Sequence, residues 1–370
     1  QVGGRVKTDN IDGFMLDHGF QVYLTSYEAG QYFFDSKSLQ LGEFAPGACL
    51  VSRGQKSFMA DPLRSPLKVF DTLLNSNANL KDKLLILKLK KRSAKVKGID
   101  PKLNQTTTYD FLIKFGFSNK IIQNFFQPFF SGVFLETQLK TPAGYFLYLF
   151  GKFGSGSASL PKNGMQDLAF QLERRLKKNV VFNHKATSVS KNEILFNDED
   201  KFTFDHVILA TDMSSLMKLG IHTSDKWNSV TTSYFKSRSS SCASKYLYLN
   251  TDSPKYINHV ACLTAAQPSY APKGWHLYSV NCIGIDLSSD SDIAILIEDL
   301  NKMFGEEEIK KWDFIKSYYI KKALPYDSQY GDFDISKNGI YLCGDYFESP
   351  SIQGALMSGY NLAQQIVNLR

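Results

Sequence analysis

Apolar and polar positions change period several times along the chain, and each change predicts a different kind of element. Residues 11 to 60 carry short apolar runs broken by Gly and Asp, as in GFMLDHGFQVYL and ACLVSRGQKSFMA. This pattern predicts short strands and turns, closed off by Pro62 and Pro66. From about Leu67 to Phe150 apolar residues recur at spacings of three and four, as in TYDFLIKFGF and KIIQNFFQPFFSGVF, and predict helices. Pro128 falls inside the second run and is expected to end a helix there. Gly151, Gly154 and Gly156 in GKFGSGSASLPKNGM predict a flexible break, because the stretch lacks the Gly-Lys-Ser/Thr ending of a phosphate loop.

Strand and helix signals then alternate. Asp167 to Lys178 predicts a helix, and Val180 to Val189, Ile194 to Phe196 and Phe204 to Thr211 predict strands. The runs KYLYLN, HVACLTAA and WHLYSVNCIGI have a strand-forming composition and predict a sheet that covers something. A helix at SDIAILIEDLNKMF and a strand ending at KKALP follow. The chain finishes with a strand, a turn and a helix, in which Ile352, Ala355, Leu356, Gly359, Leu362, Ala363 and Ile366 share one face by helical spacing.

Composition adds bounds. With 43% hydrophobic and 21% charged residues, the 370-residue chain is expected to fold rather than remain disordered. Its 28 Phe and 19 Tyr suit either a core or the wall of a wide apolar cavity, and composition leaves both readings open. Cys49, Cys242, Cys262, Cys282 and Cys343 show no paired spacing and read as buried thiols of a reducing compartment. The histidines form no HExxH, so no metal site is expected.

The net charge of +7 is concentrated in KDKLLILKLKKRSAKVK, Lys81 to Lys97, where leucines interrupt the lysines. Such a basic amphipathic helix suits a solvated face or peripheral contact with an anionic membrane. No aromatic stacking motif accompanies the charge, so nucleic acid is not expected as a partner. No signal peptide opens the sequence and no apolar run nears the ~20 residues of a membrane span. A cytoplasmic protein, at most peripherally attached to membrane, is expected.

The most specific residues stand at the two ends. A strand runs into Gly344-Asp345, and a helix begins near Ser351-Ile352 with the small residues Gly354-Ala355 and Ser358-Gly359. The opening reads Gly3-Gly4-Arg5, Thr8, Gly13-Phe14, Asp17 and Gly19. Together these resemble the flavin-binding ends of the FAD-dependent amine oxidase, protoporphyrinogen oxidase and phytoene desaturase superfamily. LPKNGMQDLAFQLERRL is similar to that family's Pro-x-Gly-Gly-Met-x-x-Leu segment, with Asn163 replacing the first glycine, and FDHVILATD resembles its strand ending in Ala-Thr.

The resemblance implies an α/β fold of mixed α+β character. A Rossmann-like FAD-binding domain would lack its N-terminal βαβ unit with GxGxxG and would carry an inserted substrate domain of mixed sheet and helices. The implied segments are 1–60, 155–215 and 326–370 for the FAD-binding domain, 61–154 for the helical part of the substrate domain and 216–325 for its sheet. Gly3, Gly4 and Arg5 would pass the diphosphate, Asp17 and Gly19 would continue that motif, and Ala186 would meet adenine. Ala210 and Thr211 would line the diphosphate side, and Gly344, Asp345, Ser351, Ile352 and Ala355 would hold the ribityl chain and the pyrimidine edge.

The implied activity is flavin-dependent oxidation of a C–N or C–C bond in a small organic molecule, with the fragment inactive until it gains its missing unit. Ser349, Pro350 and Ser351 stand where amine oxidases place an aromatic wall, which favours a bulky apolar substrate. Phe125, Phe126, Phe129 and Phe130 would wall its cavity, and Tyr246, Tyr248 and Tyr278 would floor it. Lys245 is the candidate for a catalytic lysine near the flavin. The competing expectation is a non-catalytic scaffold that retains the fold and cannot hold FAD.

Overall fold

The computed structural model describes residues 2–60, 64, 77–176, 179–197, 200–221, 225–326, 336–337 and 339–368. The predicted turn at Pro62 and Pro66 and the end of the predicted helix at Lys178 lie outside these residues. The N-terminal pattern folds as a hairpin, β1 (Thr8–Ile11) and β2 (Phe14–Asp17), whose two-residue turn sets Thr8 opposite Asp17. Asp17 is buried. Its carboxylate accepts from Thr8 Oγ1 at 2.5 Å, from the Met165 N–H at 3.0 Å and from Tyr270 Oη at 2.9 Å. Its backbone carbonyl accepts from Tyr234 Oη at 2.6 Å. One residue therefore fastens the hairpin to the 158–165 region and to the main sheet.

That sheet has seven strands: β3 (Gly47–Ser52), β4 (Gln55–Ala60), β5 (Trp227–Ser237), β6 (Leu247–Asn250), β7 (Ile257–Cys262), β8 (His276–Ile283) and β9 (Asp313–Pro325). Their spatial order is β9-β5-β8-β7-β6-β3-β4, with β3 and β6 parallel. The strands β3 and β4, which the sequence reading assigns to the first FAD-binding segment, thus pair into the sheet of the inserted part.

Alternation along the strands gives the sheet two faces. One packs Phe235, Val260, Tyr278, Val280 and Cys282 beneath helix Ile293–Phe304, using Leu296, Leu300 and Met303. Tyr248 and Tyr278 belong to this face, Tyr278 stacking on Trp312 with ring centroids 3.8 Å apart. They are core residues and not the floor of a cavity: strand period places them on the helix-covered side, together with the partly buried Tyr246. All five cysteines are buried thiols outside any disulfide.

The helical part contains α1 (Leu80–Ser93), α2 (Thr108–Phe115), α3 (Gln127–Phe134) and α4 (Ala143–Ser155). Pro128 does not end a helix. A π-turn over Ile122–Phe126 runs directly into α3, so the proline takes the first turn, where its missing N–H leaves no ladder bond broken. Phe126 and Phe130 are 0% and 1% exposed and pack on Phe146, which makes them core, whereas Phe125 and Phe129 stay partly exposed beside each other.

Gly151 and Gly154 are helical rather than a break. A Cβ on Gly151 would lie 2.7 Å from the Ser93 carbonyl oxygen, so this glycine lets α4 approach the end of α1. On the C-terminal helix the buried positions are Gln353, Gly354, Ser358, Leu362 and Ile366. The buried stripe is thus turned by one or two residues from the predicted one, leaving Ala355 and Ala363 exposed.

Burial pushes the Asp17 carboxyl up to about 6, against the opposing hydrogen bonds from Thr8, Met165 and Tyr270. Its folded pKa lies above its unfolded one, so the native protein binds the extra proton between ~4 and about 6. This group's contribution to stability therefore falls as pH rises through that window and is level above it. Asp17→Asn keeps an acceptor for Thr8 and Met165 while removing the charge. Urea unfolding of both proteins at pH ~4 and ~7 is expected to show the difference shifting toward the variant by about 1–3 kcal/mol at the higher pH. A pH-independent difference contradicts this.

Candidate functional site

The two ends of the chain meet beside a parallel strand pair. Ile208–Leu209 lies parallel to Ile340–Leu342, with Leu209 opposite Leu342. Ala210-Thr211 and Gly344-Asp345 therefore leave neighbouring strands at the same carboxyl end, where open α/β sheets bind ligands. Tyr346 fastens the two exits, its hydroxyl donating to the Thr211 carbonyl at 3.0 Å and lying 3.2 Å from that of Cys343. The Gly344 N–H donates to Ser358 Oγ at 3.0 Å, anchoring the exit to the C-terminal helix, α6 (Ile352–Asn368), which follows α5 (Ile293–Phe304) in the chain.

Arg5 reaches this exit from the other end of the sequence. Its guanidinium donates to Asp345 Oδ1 at 2.5 Å and to the Ala323 carbonyl at 3.3 Å, and lies over the Trp227 ring. The Asp345 side chain is 7% exposed and that of Arg5 35%, so the pair opens to solvent on the arginine side. Gly3 and Gly4 have φ of +119° and +57°, and no atom stands within 4 Å of where a Cβ on Gly4 would be. The turn therefore offers bare backbone next to a cation. Gln21 steadies it by donating to the Arg5 carbonyl at 2.9 Å.

The start of α6 is clamped by Ser351 and by groups that sequence reasoning did not single out. Gln353 is buried and accepts from the Ala29 N–H at 3.0 Å. Tyr145 Oη donates to the Pro350 carbonyl at 3.2 Å, and Ser351 Oγ accepts from the Gly354 N–H at 3.0 Å. Beside them Lys152, itself buried, pairs with Glu28. The Ser349–Ile352 segment itself contributes no aromatic ring, but Tyr145 on α4 stands against it. Its helical spacing looks like core packing, so only the folded contact reveals it.

Asp17, Gly19, Ala186 and Lys245 make no hydrogen bond or ion pair to Arg5 or Asp345 among the described residues. Asp17 has its oxygens taken by protein donors and acts as a fastening, as described above. Gly19 continues from it with φ +92°. Ala186 lies in a separate antiparallel sheet formed by Ala186–Val189, Glu193–Phe196 and Asp200–Thr203. Lys245 is exposed just before β6, and its backbone carbonyl accepts from the Ala45 N–H.

The second face of the seven-stranded sheet looks toward residues 9–20. Tyr318 Oη donates to Asp9 at 2.7 Å, and His259 packs on the Phe20 ring with centroids 5.3 Å apart. Across this face the register aligns Leu50, Leu249, His259, Asn281, Thr232 and Tyr318 in one row. None is charged, since burial and the nearby Lys255 hold the His259 imidazole down to about 3.

Comparison with known proteins agrees with this fold. A putrescine oxidase bound to putrescine superposes with a TM-score of 0.69 at 14% identity, over 99% of this chain and 91% of that one. An oxidoreductase from Methanosarcina mazei gives a TM-score of 0.72 at 15% identity, over 98% and 92%. A protoporphyrinogen oxidase-like protein from Exiguobacterium sp. 255-15 gives 0.70 at 14%, over 100% and 91%. These likenesses establish the fold. A search of curated protein sequences finds no match. The sequence profile of flavin containing amine oxidoreductases matches residues 1–367. The chain thus belongs to the flavin containing amine oxidoreductase family, whose cofactor is FAD.

Proposed function

We propose that this FAD-dependent oxidoreductase binds its cofactor across the exits of Ile208–Leu209 and Ile340–Leu342 and oxidises a C–N or C–C bond of a bulky, largely apolar molecule. The residues present fit the cofactor. The open backbone at Gly4, a guanidinium in reach of a diphosphate, and a carboxylate suited to ribityl hydroxyls stand side by side. Arg5 with Gly3 and Gly4 would hold the diphosphate, with Ala210 and Thr211 on its far side. Asp345 would accept from the ribityl chain, Ser351 with Ile352 and Ala355 at the start of α6 would meet the pyrimidine edge, and Ala186 would face adenine. Bound FAD supplies the acceptor for a hydride or electron pair. The chain's own residues orient the partners and exclude water.

The observation carrying the substrate class is the uncharged row Leu50, Leu249, His259, Asn281, Thr232 and Tyr318. A buried cation opposite it would find no carboxylate in the row itself, since the Asp9 carboxylate that Tyr318 reaches is already shared with His18, Lys7 and Lys316, and desolvating an unpaired charge costs several kcal/mol, roughly. The protein is expected to bind FAD non-covalently and to release it on acid precipitation. Anaerobic mixing with primary amines, polyamines, porphyrinogens and polyenes, followed at the flavin absorbance band, is expected to show bleaching by an apolar member. Bleaching by simple amines alone would overturn the substrate class, and a protein colourless after refolding with excess FAD would overturn the cofactor site.

We propose in addition a peripheral contact with anionic membrane through α1. Leu80, Leu84 and Leu87 are 76%, 68% and 48% exposed on one side of the helix, beside the exposed Lys81, Lys88, Lys91 and Lys95. A merely solvated face would not need leucines there. Among the described residues no helix is long and apolar enough to cross a membrane. Lys88 and Arg92 lie over the Phe115 and Phe111 rings, so the test spares them. Replacing Lys81, Lys91 and Lys95 with Gln is expected to abolish co-sedimentation with phosphatidylserine-containing vesicles at low salt. Equal sedimentation with neutral and anionic vesicles contradicts the proposal.

A further inference from the structure

His259 holds a proton that no atom of the described residues accepts. It lies in β7, 3% exposed, between Leu249 and Asn281 of the uncharged row. The neighbouring Asn258 fixes its tautomer. Asn258 Nδ2 donates to the Pro128 carbonyl at 2.9 Å, which sets the orientation of the amide, and the same nitrogen lies 3.0 Å from His259 Nδ1. With an amide N–H directed at it, Nδ1 is the acceptor, and the neutral imidazole carries its proton on Nε2. Nε2 is buried without a hydrogen-bond partner.

Its surroundings offer no substitute acceptor. Asn281, next in the row, is engaged elsewhere: Oδ1 accepts from Thr232 Oγ1 at 2.7 Å, and Nδ2 donates to Ser279 Oγ at 3.0 Å. The ring packs on Phe20. On its other flank stands Gly132 of α3, where a Cβ would come within 3.0 Å of His259 Nδ1 and Cε1, so the missing side chain leaves the ring its place. Buried N–H groups without an acceptor are rare in folded proteins, because each forfeits its hydration with nothing in return. Phe20 follows directly on the Asp17–Gly19 stretch, and the next residue, Gln21, holds the Arg5 carbonyl. The orphan donor therefore stands on the face that carries the uncharged row, beside the Phe20–Gln21 segment that holds the Arg5 carbonyl.

We infer that His259 Nε2–H is the hydrogen-bond donor that recognises an uncharged oxygen acceptor, a carbonyl or hydroxyl, on an otherwise apolar substrate. This rests on the substrate class proposed above and narrows it. A protonated amine has no lone pair to offer the donor and gains nothing from it. An apolar molecule lacking oxygen leaves the N–H as orphaned as before, so the site discriminates for the oxygenated member of a matched pair.

The test uses FAD-loaded protein labelled with 15N-histidine, and the tricyclic probes 9-fluorenone and fluorene, which differ in one carbonyl. The Nε2–H resonance of His259 is expected to be present without ligand and to move with fluorenone but not with fluorene. Fluorenone is expected to bind about 5- to 10-fold more weakly to His259→Phe, with fluorene unchanged. The wild-type resonance decides even where that variant fails to fold. A proton found on Nδ1, or identical responses to both probes, overturns the inference while leaving the apolar class standing. Failure of both probes to bind removes the apolar class and this inference with it. A resonance that moves on FAD loading and ignores fluorenone assigns the donor to the flavin and overturns the substrate role.

Discussion

A guanidinium from residue 5 and a carboxylate from residue 345 share a hydrogen bond of 2.5 Å, and the candidate site exists because the fold brings them there. Each group stands in an end motif that the sequence marks, and only the fold shows that they meet. Joined, they place a cation with exposed donors beside a carboxylate that is nearly closed off from water. A pair of this kind is held with little freedom, because a carboxylate buried without its partner is costly. Several neighbours serve the juxtaposition: Gln21 on the Arg5 carbonyl, Tyr346 across the two strand exits, and Ser358 on the Gly344 N–H.

The large sheet supplies the opposite boundary. Its two faces differ in chemistry although they come from the same strands, since successive residues alternate between them. One is a conventional apolar layer under α5. The other mixes Leu, Thr, Asn, His and Tyr, and its polar groups are mostly satisfied within the sheet, as by the Thr232–Asn281 bond. Asp17, bonded to Thr8, Met165, Tyr270 and Tyr234, keeps the hairpin pressed against that face. The uncharged row and the Arg5–Asp345 pair are thus parts of one arrangement.

Much of this was legible in the residues, and the rest fails for identifiable reasons. The end motifs and the strand and helix content follow from glycine placement and periodicity, and the family assignment agrees with them. Tyr248 and Tyr278 were expected on the cavity side because strand alternation says which residues travel together but not which set faces inward. Phe126 and Phe130 show the same limit for helices: aromatic spacing does not separate core from wall. Pro128 and Gly151 misled because their local preferences yielded to tertiary packing, a π-turn in one case and a close helix approach in the other. Lys245 drew attention by its position in sequence, and only the fold shows its side chain in solvent. His259 carried no signal at all, since its meaning depends on an asparagine amide and a carbonyl from α3.

In the function proposed above, Arg5 and Asp345 jointly hold the flavin. The most direct measurement is the FAD dissociation constant of the wild type, Arg5→Ala, Asp345→Ala and the double variant, with near-ultraviolet circular dichroism to confirm folding. Each single substitution is predicted to weaken binding about 10- to 100-fold, the worth of a hydrogen bond to a charged group. The double variant is predicted to lose less than the product of the two, because the side chains touch. Wild-type affinity in either folded single variant would contradict the account.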